Sequence, residues 1–177
     1  ADADTILIHD DSASALRKMT RSNFLSGVGG TNTPAFHAYL SSNQTVSDNA
    51  DTKVQFDTEI FDSDNAYDNS TNYRFTPQTA GKYFVYASAR ADEGVGDLYK
   101  IQNGIKKNGS QTTGIGQTSW DTRDSEGTDA STYSAAIVDM NGSSDYLEVH
   151  CQVDSISGSD SALKNVGTYF GAFKILT

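Results

Sequence analysis

Pro34-Ala35-Phe36-His37-Ala38-Tyr39-Leu40 places apolar or aromatic side chains on both of its faces if it is extended: Phe36, Ala38 and Leu40 on one, Ala35, His37 and Tyr39 on the other. Tyr169-Phe170-Gly171-Ala172-Phe173, near the opposite end of the chain, repeats the pattern, with Phe170 and Ala172 opposite Tyr169, Gly171 and Phe173. A strand that is apolar on both sides is buried on both sides. In a two-layer sandwich the second side of such a strand must meet something other than the partner sheet. The neighbouring subunit around a threefold axis is the simplest candidate, which makes His37, Tyr39, Tyr169 and Phe173 the expected trimer-interface residues.

Working outward from these two strands, further extended segments are expected at about 44–47, 53–56, 67–68, 73–76, 82–91, 98–107, 131–140 and 144–153. The stretch 144–153 alternates: Leu147, Val149, Cys151 and Val153 form an apolar face, and Tyr146, Glu148, His150 and Gln152 a face expected to meet water. Cys151 is the only cysteine. It reads as a small core hydrophobe, and no intrachain disulfide is possible. Fifteen glycines, two prolines and many Ser, Thr, Asn and Asp residues suit short strands joined by turns.

The ordered series Pro34–Leu40, Phe56-Asp57, Tyr73-Arg74-Phe75-Thr76-Pro77, Gly81-Lys82-Tyr83-Phe84-Val85, Asn103-Gly104 and Tyr169–Phe173 resembles the globular head of the complement C1q/TNF-like family. The resemblance covers roughly residues 34–177. It implies an all-β, ten-strand jelly-roll sandwich that works as a homotrimer, with its first and last strands in the subunit-facing sheet. Heads of that family bind and rarely catalyse, so the resemblance implies a binding protein. In front of the head, Asp4–Ser12, Ala15–Thr20 and Asn23–Gly27 resemble a segment that recurs in bacteriophage tail-fibre proteins between a fibrous shaft and the domain that follows. No Gly-X-Y collagen repeat is present. The expected organisation is a stalk-connecting segment over 1–33 and a C1q-like head over 34–177. Within the connector, extended pieces are expected at 5–8 and 15–19 around an Asp-Asp-Ser turn, then one helical turn capped by Thr20. A glycine-rich joint at 27–32 follows.

The chain has 177 residues, 20% of them charged and 10% aromatic, with a net charge of −10. Phosphate binding needs clustered Lys and Arg, so no nucleic-acid partner is expected. No apolar run is long enough for membrane insertion, and the first residues lack the regions of a signal peptide. The chain is not expected to be an enzyme. His9, His37 and His150 are scattered, and no nucleophile elbow, zinc-protease motif or phosphate loop is present. Four Asn-x-Ser/Thr sequons, at Asn43, Asn69, Asn108 and Asn141, would matter only in a secretory pathway. No metal or other cofactor is expected. The alternative is calcium at Asp62-Ser63-Asp64-Asn65-Ala66-Tyr67-Asp68-Asn69, although this stretch lacks the glycine and the bidentate glutamate of an EF-hand.

If both ends of the head lie at its base and later strands simply alternate, the connections at 77–81, 108–130 and 154–166 fall at the tip, and those at 92–97 and 141–143 at the base. Residues 108–130 read as the longest loop and hold the only tryptophan. Trp120, Asp121 and Arg123 are the expected recognition core, because an aromatic face and nearby charges suit a sugar or a protein contact. Asp160 and Lys164 are the expected neighbours. The other reading of Trp120 is packing beneath the loop or along the trimer axis. The combined expectation is a trimeric phage tail-fibre tip, assembled in the host cytoplasm and joined upstream to a fibre shaft. It would attach the virion to a host-surface glycan or outer-membrane protein. The alternatives are a head that only trimerises the fibre, a secreted C1q-like binding protein, and a depolymerase.

Overall fold

The computed structural model describes residues 5–26, 32–93, 97–112, 114–122 and 127–175. The described residues form two compact units, one within 1–32 and the other spanning Thr33–Ile175. In the first, β1 (Thr5–Asp10) and β2 (Ala15–Thr20) form an antiparallel hairpin, followed by the one-turn helix α1 (Arg21–Ser26). Asp10 sets the turn: its carboxylate accepts from the Ser12 hydroxyl at 2.6 Å and the Ala13 amide at 3.2 Å. Thr20 caps the helix as expected, its Oγ1 accepting from the Asn23 amide at 3.2 Å. The glycine-rich joint lies outside the described residues except for Asn32.

The second unit is an all-antiparallel sandwich built from β3 (Ala35–Tyr39), β4 (Gln44–Val46), β5 (Thr52–Lys53), β6 (Thr58–Asp62), β7 (Tyr67–Asp68), β8 (Arg74–Phe75), β9 (Gly81–Asp92), β10 (Leu98–Lys107), β11 (Gln117–Asp121), β12 (Asp129–Met140), β13 (Leu147–Ser155), β14 (Ser161–Leu163) and β15 (Tyr169–Lys174). One sheet runs β11-β10-β13-β8-β7, with β5 also on β13. The other runs β4-β14-β9-β15-β3-β6, with β12 on the free side of β9. The strands expected from the sequence are present, although the one expected at 53–56 is reduced to Thr52–Lys53, and β6, β11 and β14 are additional.

The core is aromatic at its centre. Phe36 stacks on Tyr67 with centroids 4.7 Å apart and on Phe75 at 4.6 Å, and meets Phe170 edge-on at 4.9 Å. These residues come from β3, β7, β8 and β15, so one cluster joins both sheets. Such pairs add about 0.5–1.5 kcal/mol each beyond the area they bury. Cys151 is buried, and burial pushes its thiol up to about 12, as a core residue requires.

Strand β11 corrects the direction of two strands. Lys174 pairs with Tyr83 and its amide donates to the Pro34 carbonyl, so β9 starts at the end where the head's own termini meet. β9 therefore runs away from the termini and β10 back toward them, opposite to the simple alternation. The extra strand between β10 and β12 changes the parity. As a result the 77–81 connection lies at the termini end, where Gln78 Nε2 donates to the Ser143 carbonyl at 3.4 Å. The β9–β10 connection lies at the far end. The expected long loop is split: 108–116 turns at the termini end, with Asn108 bonded to Asp145 at 2.9 Å, while β11 carries the chain to the far end. The 156–160 turn is at the far end, as expected, because the Ile156 amide donates to the Asp97 carbonyl at 2.8 Å.

The outer face of β13 also differs. Glu148 is only 4% exposed, because β5 pairs beside β13 and its Lys53, opposite His150, reaches the Glu148 carboxylate at 2.5 Å. His150 is held between Asp51 at 3.1 Å and Glu148 at 3.3 Å. A short strand, invisible in the periodicity of β13, keeps water off that face.

Candidate functional site: an aromatic sheet face and the far-end turns

In antiparallel sheets directly opposed residues share a face. The register of β6, β3, β15, β9 and β12 therefore writes three rows across the outer face of one sheet. Phe61, His37, Gly171, Tyr86 and Ala135 form the first. Tyr39, Tyr169, Ser88 and Tyr133 form the second, and Phe173, Phe84 and Ile137 the third. All four residues expected at a subunit interface, His37, Tyr39, Tyr169 and Phe173, lie on this face. Sequence reading omitted the contributions of β6, β9 and β12. The signal was the alternation of Phe84 and Tyr86 with Tyr83, Val85 and Ala87, which makes β9 aromatic on both sides.

The rings pack on one another. His37 stacks on Tyr169 at 5.5 Å, and its Nδ1 lies 2.9 Å from the Tyr86 hydroxyl. Phe84 meets Phe173 at 5.4 Å and Tyr86 at 6.1 Å. Burial pushes the His37 imidazole below its usual range and the Tyr86 phenol above its own, so both are neutral near pH 7. At the margins the face is open in the single chain, with Phe61 and Tyr133 each 50% exposed and Ile137 61%. A continuous apolar surface of this kind marks an interaction site.

The far end is made of polar turns. Asp97 accepts from the Ser157 amide at 2.8 Å, and Asp48 from the Ser155 amide at 2.8 Å. Arg90 forks onto Asp129 at 2.9 and 2.6 Å, and this pairing holds the Asp129 carboxyl below the usual carboxylate range. Asp154 is raised, by burial first and by the nearby Asp48 carboxylate second.

The expected recognition residues fall into two groups. Trp120 and Asp121 lie in β11, at the edge of one sheet, paired with Ile101 and Lys100. Trp120 is on the face of β11 that Ile101 shares, and its ring edge lies where a β-carbon on Gly127 would stand, 2.6 Å away. The ring thus covers the 127 backbone while remaining 36% exposed. Asp160 and Lys164 flank β14 in the other sheet. Asp160 accepts from the Asp48 amide at 3.3 Å, and the Lys164 amide donates to the Arg90 carbonyl at 2.8 Å. Arg123 lies outside the described residues.

In the stretch considered for calcium, the carboxylates cap turns. Asp62 accepts from the amides of Asp64 and Tyr67, at 3.2 and 2.7 Å. Asp68 accepts from Ser70, Thr71 and Asn72, and these bonds hold it far below the usual carboxylate range. Among the described residues no group of three or more His, Cys, Asp or Glu side chains is arranged to hold a metal ion.

The sandwich matches solved structures. Murine APRIL at pH 5.0 superposes with a TM-score of 0.55 at 14% identity, covering 80% of this chain and 98% of that one. The head has a TNF-like jelly-roll fold. Eiger TNF from S. frugiperda gives a TM-score of 0.54 at 15% identity, over 80% of this chain and 92% of that one. No protein-family model matches the sequence, and no curated protein matches it.

Proposed function

We propose that this chain is a trimeric receptor-binding head at the distal tip of a phage tail fibre. The observation that carries the trimer is the aromatic face of β6-β3-β15-β9-β12. Three copies packed around an axis bury Tyr39, Phe61, Tyr133 and Ile137 without a further partner. The fibre assignment rests on the resemblance of residues 4–27 to a shaft-connecting segment. In this reading the shaft lies upstream, and Trp120 and Asp121 of β11, with the far-end turns beside them, meet a host-surface glycan or outer-membrane protein. Three weak sites per head gain avidity together.

The test is binding of the fluorescently labelled, purified head to a panel of bacterial strains, followed by flow cytometry. Saturable binding to a subset of strains, lost in Trp120→Ala at unchanged assembly mass, supports a receptor site on β11. No binding by the native head to any strain overturns the attachment reading and leaves trimerisation of the fibre as its role. Deleting residues 109–130 is unsuitable for this purpose, because it removes β11.

A further inference from the structure

Beside the aromatic face, the turn between β3 and β4 and the segment 55–57 enclose an open pocket of about 310 Å³. It is lined by Leu40, Ser42, Asn43, Gln44, Thr45, Gln55 and Asp57. That volume is at the lower bound of small-molecule sites, roughly 300–1,000 Å³. Six of the seven lining side chains are polar, none is cationic, and one is a carboxylate. The seventh, Leu40, is buried and forms an apolar floor.

The walls are held by bonds among the lining groups and their neighbours. Gln44 is a strut: its Oε1 accepts from the Gln55 amide at 2.8 Å and its Nε2 donates to the Lys53 carbonyl at 2.9 Å. Asn43 Oδ1 accepts from the Asn165 amide at 3.0 Å, and Asn165 Nδ2 donates to the Ser41 carbonyl at 3.3 Å. Asp57 is aimed by Ser41, whose amide and hydroxyl donate to its two oxygens at 2.7 and 2.5 Å. These bonds from Ser41 and Thr58 hold its carboxyl below the usual range, against the opposing effect of burial, so it is ionised at neutral pH.

We infer that this pocket binds a neutral polyhydroxylated ligand, a sugar ring or a linear polyol. Amides and hydroxyls offer donors and acceptors side by side, and a carboxylate offers strong acceptors, which is what adjacent hydroxyl groups need. An anion would face Asp57 with no cation in the lining to offset it. A purely apolar ligand would desolvate six polar side chains for one leucine. The site lies apart from Trp120 and does not rest on the attachment reading.

Saturation-transfer difference NMR on the full chain tests it. The probes are methyl glycosides of glucose, galactose, mannose and N-acetylglucosamine, with sorbitol as the linear polyol and inorganic phosphate and spermidine as charged controls. The expected result is transfer to at least one neutral probe, with saturation at about millimolar concentration. The signal should fall at least several-fold in Gln55→Ala and in Asp57→Asn, and persist in Trp120→Ala. Gln55→Ala leaves the backbone bond to Gln44 in place, so its fold is preserved. Transfer only to a charged control, no transfer to any neutral probe, or an unchanged signal in both pocket variants overturns the inference. Loss in Trp120→Ala alone places the polyol site on β11 and likewise overturns it.

Discussion

The ring of Tyr86 lies across Gly171: a β-carbon at residue 171 would stand 2.4 Å from the ring's Cζ and hydroxyl. Tyr86 and Gly171 are opposed across β9 and β15, and the missing side chain lets the ring lie flat and reach His37. Gly171→Ala lifts the ring and breaks the hydrogen bond to His37. The expected loss is about 1–3 kcal/mol of stability, the usual consequence of overpacking. Thermal unfolding checks it, and Tyr86→Ala in the same background should recover part of the loss, since the clash is then gone.

His37 gives the stability of the folded head a pH dependence whose sign follows from its lowered pKa. Its folded pKa is depressed by burial beside Tyr86 and Tyr169, so the unfolded chain binds its proton first. The His37 contribution is intact above the ordinary histidine value near pH 6.5, and is lost as pH falls from there toward the depressed folded pKa. Unfolding curves between pH 8 and 5 should show a decline that is smaller in His37→Gln. An identical decline in both proteins contradicts the assignment.

Lys53→Ala removes one partner of a buried carboxylate. Glu148 then keeps only His150, and the expected cost is about 2–3 kcal/mol. Glu148→Gln combined with Lys53→Ala should cost less than Lys53→Ala alone, because no buried charge is then left without Lys53. Denaturant midpoints of the three variants check this.

Much of the fold was legible because β13 carries a clean alternation and the other long strands, β9, β10 and β12, stand between turn-forming stretches. β11 was hidden: Gln117-Thr118-Ser119-Trp120-Asp121 is polar and exposed throughout, and only the recurrence of Thr118 and Trp120 at every second position betrays it. Missing it reversed the direction of two strands and misplaced the loop around Trp120. β5 was expected at 53–56 and lies at Thr52–Lys53; its pairing beside β13, which brings Lys53 to Glu148, is a matter of register that the alternation of β13 does not show. The aromatic face was half legible, since β3 and β15 show it locally, while Phe61, Tyr133 and Ile137 join it only through register.

Calcium should have no effect on stability. Asp62 and Asp68 already accept backbone amides, so melting temperatures in calcium and in EDTA are expected to coincide. Asp68→Ala should cost about 0.5–2 kcal/mol, as the loss of a turn cap does. A calcium-dependent rise in melting temperature that Asp68→Ala abolishes contradicts this.

Sedimentation equilibrium of the native chain and of Ile137→Glu decides whether the aromatic face is buried between copies. In the single chain Ile137 is 61% exposed, so a glutamate there costs the monomer little. Three chains of 19.0 kDa predict about 57 kDa for the native protein and a shift toward the single-chain mass for Ile137→Glu. A native mass of 19.0 kDa, or an unchanged trimer in Ile137→Glu, contradicts burial of the aromatic face between copies.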